Sequence, residues 1–218
     1  MAIRIPPGRA GRLWLERRLE VATRGADVLD QKRRTLLHQQ QLLSTRRAEA
    51  AAAWERQAAE AATSYDRAAA IAGARRLRLA ALHRESRAEV ELEWRKALGA
   101  VVPVDATVEL GGPPDFVALG GGSSVALAAR AHADALVAAA AFAVARAAHE
   151  VVSAELAATT RRLRAIERRW IPEHQAALHK LELSLDQSEL EDAIRVRWVL
   201  KHQENPLDPS GRAGAAGG

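Results

Sequence analysis

The sequence predicts an all-α chain: a long antiparallel two-helix coiled coil with a short mid-chain β-hairpin or loop insertion and a disordered C-terminal tail. Three observations predict it. Hydrophobic residues make up 48% of the 218, aromatics only 4%, and the apolar content is mostly alanine. Alanine buries little area per residue, so a thick globular core is hard to build from it, and a chain rich in Ala, Glu, Arg and Leu reads as long helix. Glycine and proline are confined to the start, to Gly99–Ser124 and to the stretch from Asn205 onward, with Gly25, Gly73 and Pro172 as lone exceptions. Between these marks, apolar residues recur at coiled-coil spacing.

The first stretch, 9–98, is read as one N-terminal helix. Leu15, Ala22, Leu29, Leu36, Leu43 and Ala50 recur every seven residues, flanked by Trp14, Val21, Val28, Thr35 and Leu42. After Ala50 the stripe thins to alanine with Trp54 and Ile71, then continues less regularly through Leu77, Leu79, Leu82, Val90, Leu92 and Trp94. Residues 99–124 form the insertion. Val104, Ala106, Val108 and Leu110 alternate with Asp105, Thr107 and Glu109, Gly111 to Asp115 is a turn, and Phe116–Leu119 is the returning strand. A two-stranded hairpin is marginal alone, so it is expected to dock on the helices or on a partner. Ser123 or Ser124 is expected to cap the second helix.

The C-terminal helix, 125–204, carries Val152, Leu156, Thr159, Leu163, Ile166 and Trp170, alternately four and three apart. The series then steps by four through His174 to Leu178 before Leu181 and Leu185, a stutter that locally unwinds a coiled coil. Pro172 beside it is expected to bend the helix. Leu190, Ile194 and Trp198 carry the stripe to the end. Two helices of about 80 residues pack most simply antiparallel, as a rod of roughly 120 Å. The tail, 205–218, is low-complexity and expected to be disordered.

A search for chemistry leaves little. There is no cysteine, which excludes disulfides, thiolate zinc sites and cysteine nucleophiles. No uncharged run of about 18 apolar residues is present and no signal peptide is visible, so the chain is read as soluble and cytoplasmic, without membrane insertion. Gly120–Ser124 lacks the lysine of a phosphate-binding loop, and His149–Ser153 has serine where a zinc-protease motif needs its second histidine. None of the seven histidines follows a carboxylate at the spacing of helix-bundle metal sites. No catalytic residue, cofactor or metal is expected.

The charge does carry information. The formal net charge is +5, and arginine dominates the basic residues. Lys32-Arg33-Arg34, Arg46-Arg47, Arg75-Arg76, Arg161-Arg162 and Arg168-Arg169 are prominent clusters. They read as a solvated helix face, as phosphate contacts on nucleic acid, or as contacts with an acidic or polar protein sleeve. Of the five tryptophans, Trp14, Trp170 and Trp198 sit in the stripes, while Trp54 or Trp94 is a candidate partner anchor.

At both ends the chain resembles the D subunit of the V/A-type (vacuolar/archaeal-type) rotary ATPase. Thr159-Thr160-Arg161-Arg162-Leu163-Arg164-Ala165-Ile166-Glu167 followed by Ile171-Pro172 is similar to the family run Thr-Asn-Arg-Arg-Val-Asn-Ala-Leu-Glu and Ile-Pro. Leu185–Asp192 with Arg195-Val196-Arg197 resembles its acidic-then-basic end. Pro7, Arg9, Leu19, Ala22, Gly25, Val28-Leu29 and Lys32-Arg33 stand at family spacing, and Val101-Val102-Pro103 resembles the segment before the family's hairpin. Among the departures, Thr160 and Arg164 replace asparagines, Ala193 and Ile194 an aromatic pair, Asp30 a lysine and Arg34 an acidic residue.

The resemblance implies a non-catalytic central rotor shaft. Its termini enter a hexamer of catalytic and regulatory ATPase subunits, and its middle binds the small rotor component, the F subunit. Its lower end sits on the C subunit (named d in eukaryotes) at the membrane ring. ATP synthesis or hydrolysis is thereby coupled to proton or sodium transport, with the chain peripheral to the cell membrane. Arg9, Lys32, Arg33, Arg161, Arg162, Arg168 and Arg169 are the residues expected to face the hexamer, and Pro172 to set curvature. The alanine-rich part, Ala48–Ala72 facing Ala135–Ala148, with Trp54, Ala139 and Phe142, is expected to be a tight neck or the dock for the F subunit. The competing expectations are a generic coiled-coil scaffold and a basic helical nucleic-acid-binding protein.

Overall fold

A computed structural model describes residues 4–82, 88–97, 99–110 and 122–204. The turn expected at Gly111–Asp115, the strand expected at Phe116–Leu119 and the tail 205–218 lie outside the described residues. The order of elements is α1 (Gly8–Ala72), α2 (Ala74–Leu82), β1 (Glu89–Ala97), β2 (Ala100–Glu109), α3 (Gly122–Ala165), a π-helical turn (Ile166–Trp170) and α4 (Ile171–Glu204). Two compact units result, one from Met1–Asp27 with Leu163–Gly218 and the other from Val28–Arg162.

In the Val28–Arg162 unit, α1 and α3 run antiparallel. Lys32 meets Glu155, Gln40 meets Ser153, Trp54 meets Phe142 and Tyr65 meets His132, so one sequence number rises as the other falls. The heptad stripe supplies the contact: Leu36 is buried and Leu29, Leu43 and Ala50 are half-buried, whereas Val28, Thr35 and Leu42, one position earlier, are exposed. The inward row recurs every seven residues, the repeat of a helix that faces one helical partner.

The hairpin is shifted from the expected place. The chain from 89 to 97, expected as the end of the first helix, is strand β1, and the segment from 100 to 109 is β2, paired antiparallel with it from Glu89↔Glu109 to Ala97↔Ala100. The physical reason is the strict alternation Glu89-Val90-Glu91-Leu92-Glu93-Trp94. It has the two-residue period of a strand, with β-branched and aromatic residues on one face. Gly99 closes the link with φ of 86°, a conformation other residues rarely adopt. Gly73 does the same at the end of α1: at φ of 84° its N–H donates to the Ala69 carbonyl (3.0 Å), and its own carbonyl accepts from Arg76 (3.1 Å) as α2 starts.

The hairpin docks on the helices of its own unit. Val102 of β2 is buried with Leu36 of α1 and Ala148 and Val152 of α3, and Leu43, Ala100, Val151 and Leu156 pack around them. Further along, alanine permits close approach: Ala68 of α1 is fully buried against Val125 and Ala128 of α3. Helix α3 begins at Gly122, so Ser123 and Ser124 fall inside its first turn and not ahead of it.

In the other unit, α1 pairs with α4 through Arg9–Glu189 and Arg12–Glu182, with Leu15 and Leu163 buried. His174, inside the expected stripe, is 4% exposed, and its Nδ1–H donates to the Trp170 carbonyl at 2.9 Å. The stripe does not stay inward to the end: Leu190, Ile194 and Trp198 are about three-fifths exposed (63%, 59% and 60%). Arg9 already meets Glu189 near the start of α1. Beyond that residue, α4 has no length of α1 opposite it.

Mean hydropathy singles out one segment of the helices. The helical run Gly122–Lys201 contains an 18-residue window of mean hydropathy 1.6, long and apolar enough by composition to cross a bilayer. Alanine raises the mean, and the expected absence of an uncharged run of about 18 residues holds, since Arg130, Asp134 and Arg146 interrupt the alanine-rich part. The alanine-rich part of α3 nevertheless packs on α1 through Phe142, Val144 and Ala148.

Thr159 is fully buried and its Oγ1 has no hydrogen-bond partner among the described residues. An unpaired buried hydroxyl destabilises by about 1–3 kcal/mol. Thr159→Val is therefore expected to raise the stability measured by urea unfolding by about 1 kcal/mol, while Leu36→Ala lowers it by about 2–5 kcal/mol. A destabilised Thr159→Val would show that the hydroxyl is paired.

Candidate functional site

Three regions bring functional candidates together. The first is the margin of the hairpin junction. Lys32 Nζ donates to Glu155 Oε1 at 2.6 Å, joining α1 to α3, with the two side chains 27% and 23% exposed. A Cβ at Gly99 would stand 3.4 Å from the same Nζ, so the hairpin turn lies against this ion pair. A charge-assisted bond this sheltered from water is stronger than an exposed one. Beside it, a cleft of about 560 Å³ opens between hairpin and helices, lined by Leu36, Leu43, Val102, Val144 and Ala148, with Arg46 and Arg95 at its rim.

Neighbouring Arg33 is held by Asp30, which accepts from Nε (2.9 Å) and Nη2 (2.7 Å), while Arg34 meets the other carboxylate oxygen at 2.7 Å. The hydrogen bonds from Arg33, and after them the charges of Arg33 and Arg34, hold the Asp30 carboxyl below the usual carboxylate range. A folded-state pKa depressed this way stabilises the fold above the ordinary carboxylate pKa. The contribution is lost as pH falls through the depressed value.

The second region is the alanine-rich part of α1 and α3, expected as a neck or a dock. Trp54 and Phe142 stack on each other, with ring centroids 5.4 Å apart and planes 5° from parallel, and Ala139 is half-buried about one turn before Phe142 on α3. Trp54 remains 37% exposed. The third lies in the unit built from both ends of the chain. Arg18 places its guanidinium 4.6 Å from the Trp14 ring centre and 5.6 Å from that of Trp170. These residues edge a groove of about 760 Å³ with Leu13, Val21 and Ile166. The sequence pattern marks Trp14 and Trp170 but not Arg18, whose role depends on the helix pairing.

The π turn sits in this unit and ends two residues before Pro172. The Ile171 N–H donates to the Ile166 carbonyl, five residues back. Proline at 172 lacks an N–H and its ring crowds the carbonyl four residues earlier, so a wider turn there removes a steric conflict. Trp170 of this turn stacks on His174 at 3.6 Å between ring centres.

The residues expected to face a sleeve fall into two sets. Arg9, Lys32, Arg33 and Arg169 have partners in the chain: Glu189, Glu155, Asp30 and Glu173. Arg161, Arg162 and Arg168 are exposed and make no ion pair with another described residue. Trp94 on β1 is 56% exposed.

With this geometry in hand, comparison with known families defines the class. The family model for the D subunit of ATP synthase matches residues 13–201, reaching from the first turns of α1 to the last of α4. The chain belongs to that ATP synthase D family, so the resemblance read from its two ends is correct, and it is a stalk component of a rotary ATPase. Comparison with curated proteins gives no match.

In a carbon-detected NMR titration, the Asp30 carboxyl is expected to titrate below a free aspartate, and Arg33→Ala to return it toward the ordinary range. An Asp30 carboxyl unmoved by Arg33→Ala would show that the bidentate pair does not persist in solution.

Proposed function

We propose that this chain is the central rotor shaft of a V/A-type ATPase or ATP synthase and that its work is mechanical. It passes torque between ATP turnover in a hexamer of catalytic and regulatory subunits and proton or sodium transport in a membrane ring. The observation that carries this reading is the family match over nearly the whole chain, joined to antiparallel helix pairing that turns the apolar stripe inward and the arginines outward. We read the pairing as a coiled coil. The chain acts without catalysing a reaction itself, at the membrane but not in it.

The coupling is a matter of differential contact. A shaft without threefold symmetry inside a sleeve of three catalytic sites makes those sites unequal. Each orientation then favours one set of site conformations, and by linkage nucleotide binding favours one orientation. Arg161, Arg162 and Arg168 are the free cations for the sleeve, with Arg169, Arg9, Lys32 and Arg33 as secondary contacts once their internal pairs exchange. Arginine forks suit carboxylates and backbone carbonyls. Pro172 with its π turn sets the curvature that makes orientation matter. Trp54, Ala139 and Phe142 form the dock for the small F subunit of the rotor, and the C subunit (or d) joins the shaft to the ring.

Ala139→Glu with Phe142→Glu tests this. A carboxylate forced into the half-buried neck costs on the order of 1–3 kcal/mol, enough to weaken a docked partner by roughly ten- to a hundredfold. In vesicles carrying the reconstituted complex, ATP hydrolysis is expected to persist while ion transport per ATP falls. Unchanged coupling with wild-type binding of the F subunit would remove the neck from the mechanism.

A further inference from the structure

The hairpin has an unused side. In β2, Val102 and Pro103 are buried and Val104, Ala106 and Val108 half-buried, whereas all nine residues of β1 are exposed. Among the described residues the sheet has two strands, so one edge of β1 carries unpaired backbone N–H and C=O groups.

The two faces beside that edge differ. On one lie Val90, Leu92 and Trp94, which are 48%, 46% and 56% exposed. On the other, the register sets Glu89 opposite Glu109, Glu91 opposite Thr107 and Glu93 opposite Asp105, so five carboxylates share one face. Like charges directly opposite destabilise a strand pair. Arg95 relieves little of this, standing 4.0 Å from Glu93 with both side chains exposed.

We infer that the free edge of β1 over Glu89–Trp94 receives an extended partner segment of alternating apolar and basic residues. Side chains on an added strand alternate between the same two faces, and backbone hydrogen bonds supply the attachment. Its apolar residues cover Val90, Leu92 and Trp94, and its lysines or arginines relieve the crowded carboxylates. A second copy whose β1 set its own glutamates against these would add like charges to the same crowded face. Arg95 and Lys96, toward the turn, bound the footprint.

The test uses the full chain and three short peptides: alternating lysine and valine, the same residues in two blocks, and alternating glutamate and valine. Trp94 indole N–H shifts and amide-exchange protection along β1 report binding. The alternating lysine peptide is expected to shift Trp94, protect alternate β1 amides and bind roughly tenfold more tightly than the blocked one, because only the alternating order sets charge and apolar side chains on the matching faces. The exposed double variant Glu91→Lys/Glu93→Lys, checked for an unchanged unfolding midpoint, is expected to reverse the preference toward the glutamate peptide. Equal binding of alternating and blocked peptides, β1 signals that do not move, or a preference that survives charge reversal would overturn the inference. The assay needs no other ATPase component, so it leaves the rotor reading untouched either way.

Discussion

The narrow apolar stripe is the constraint on which the rest of the structure depends. A helix with one row of leucines, and alanine and charged or polar residues around the rest, can bury only that row, and it needs a single partner opposite. Leu15 and Leu36 are 0% and 1% exposed while Val21 and Val28 stay 69% and 66% exposed, which shows how sharply the row is defined. Antiparallel pairing satisfies it with one connection between helices. Outward arginines follow, because a helix buried on one row leaves most of its circumference in water.

Pairing of two thin helices does not by itself fix their register, since alanine tolerates sliding. The hairpin junction supplies what alanine cannot. Val102 comes from a third element and sits on Leu36, Ala148 and Val152 together, so a slip of either helix would break a shared contact. The Lys32–Glu155 pair beneath Gly99 adds a polar constraint at the same level. A half-buried ion pair contributes more to specificity of arrangement than to net stability, because desolvation offsets much of its attraction. The hairpin is thus part of how the helix pair is held, while its outer strand remains exposed.

Much of this is legible in the residues. The heptads from Leu15 to Ala50 and the run from Val152 to Leu185 identify the inward row, His174 included, and the motifs around Arg161 and Pro172 point to the family. Two things are not. The segment Val90, Leu92, Trp94 reads as a fading helical stripe because the same apolar residues fit two periods over so short a stretch. The glutamates between them carry the deciding signal, since alternate charge is what a strand exposed on one face requires. The overhang of α4 past Glu189 is also hidden. Leu190, Ile194 and Trp198 keep the pattern, and only the starting point of α1 tells that nothing of that helix lies opposite them. The grouping of Arg18 with Trp14 and Trp170 depends on chain pairing that no local pattern encodes.

Asp30 and Arg34 show what an exchanged pair of residues does and does not alter. Each departs in sign from the family pattern, and the two stand one helical turn apart with 2.7 Å between carboxylate and guanidinium. Reversing both charges keeps their attraction and leaves the local sum unchanged, as i,i+4 geometry allows. Asp30 also takes up Arg33, so the cluster of cations at 32–34 is largely neutralised inside the chain: Lys32 by Glu155, Arg33 and Arg34 by Asp30. At Arg161, Arg162 and Arg168 no such neutralisation occurs among the described residues. At these three positions, at the end of α3 and in the π turn, a partner can reach positive charge without first breaking an internal ion pair.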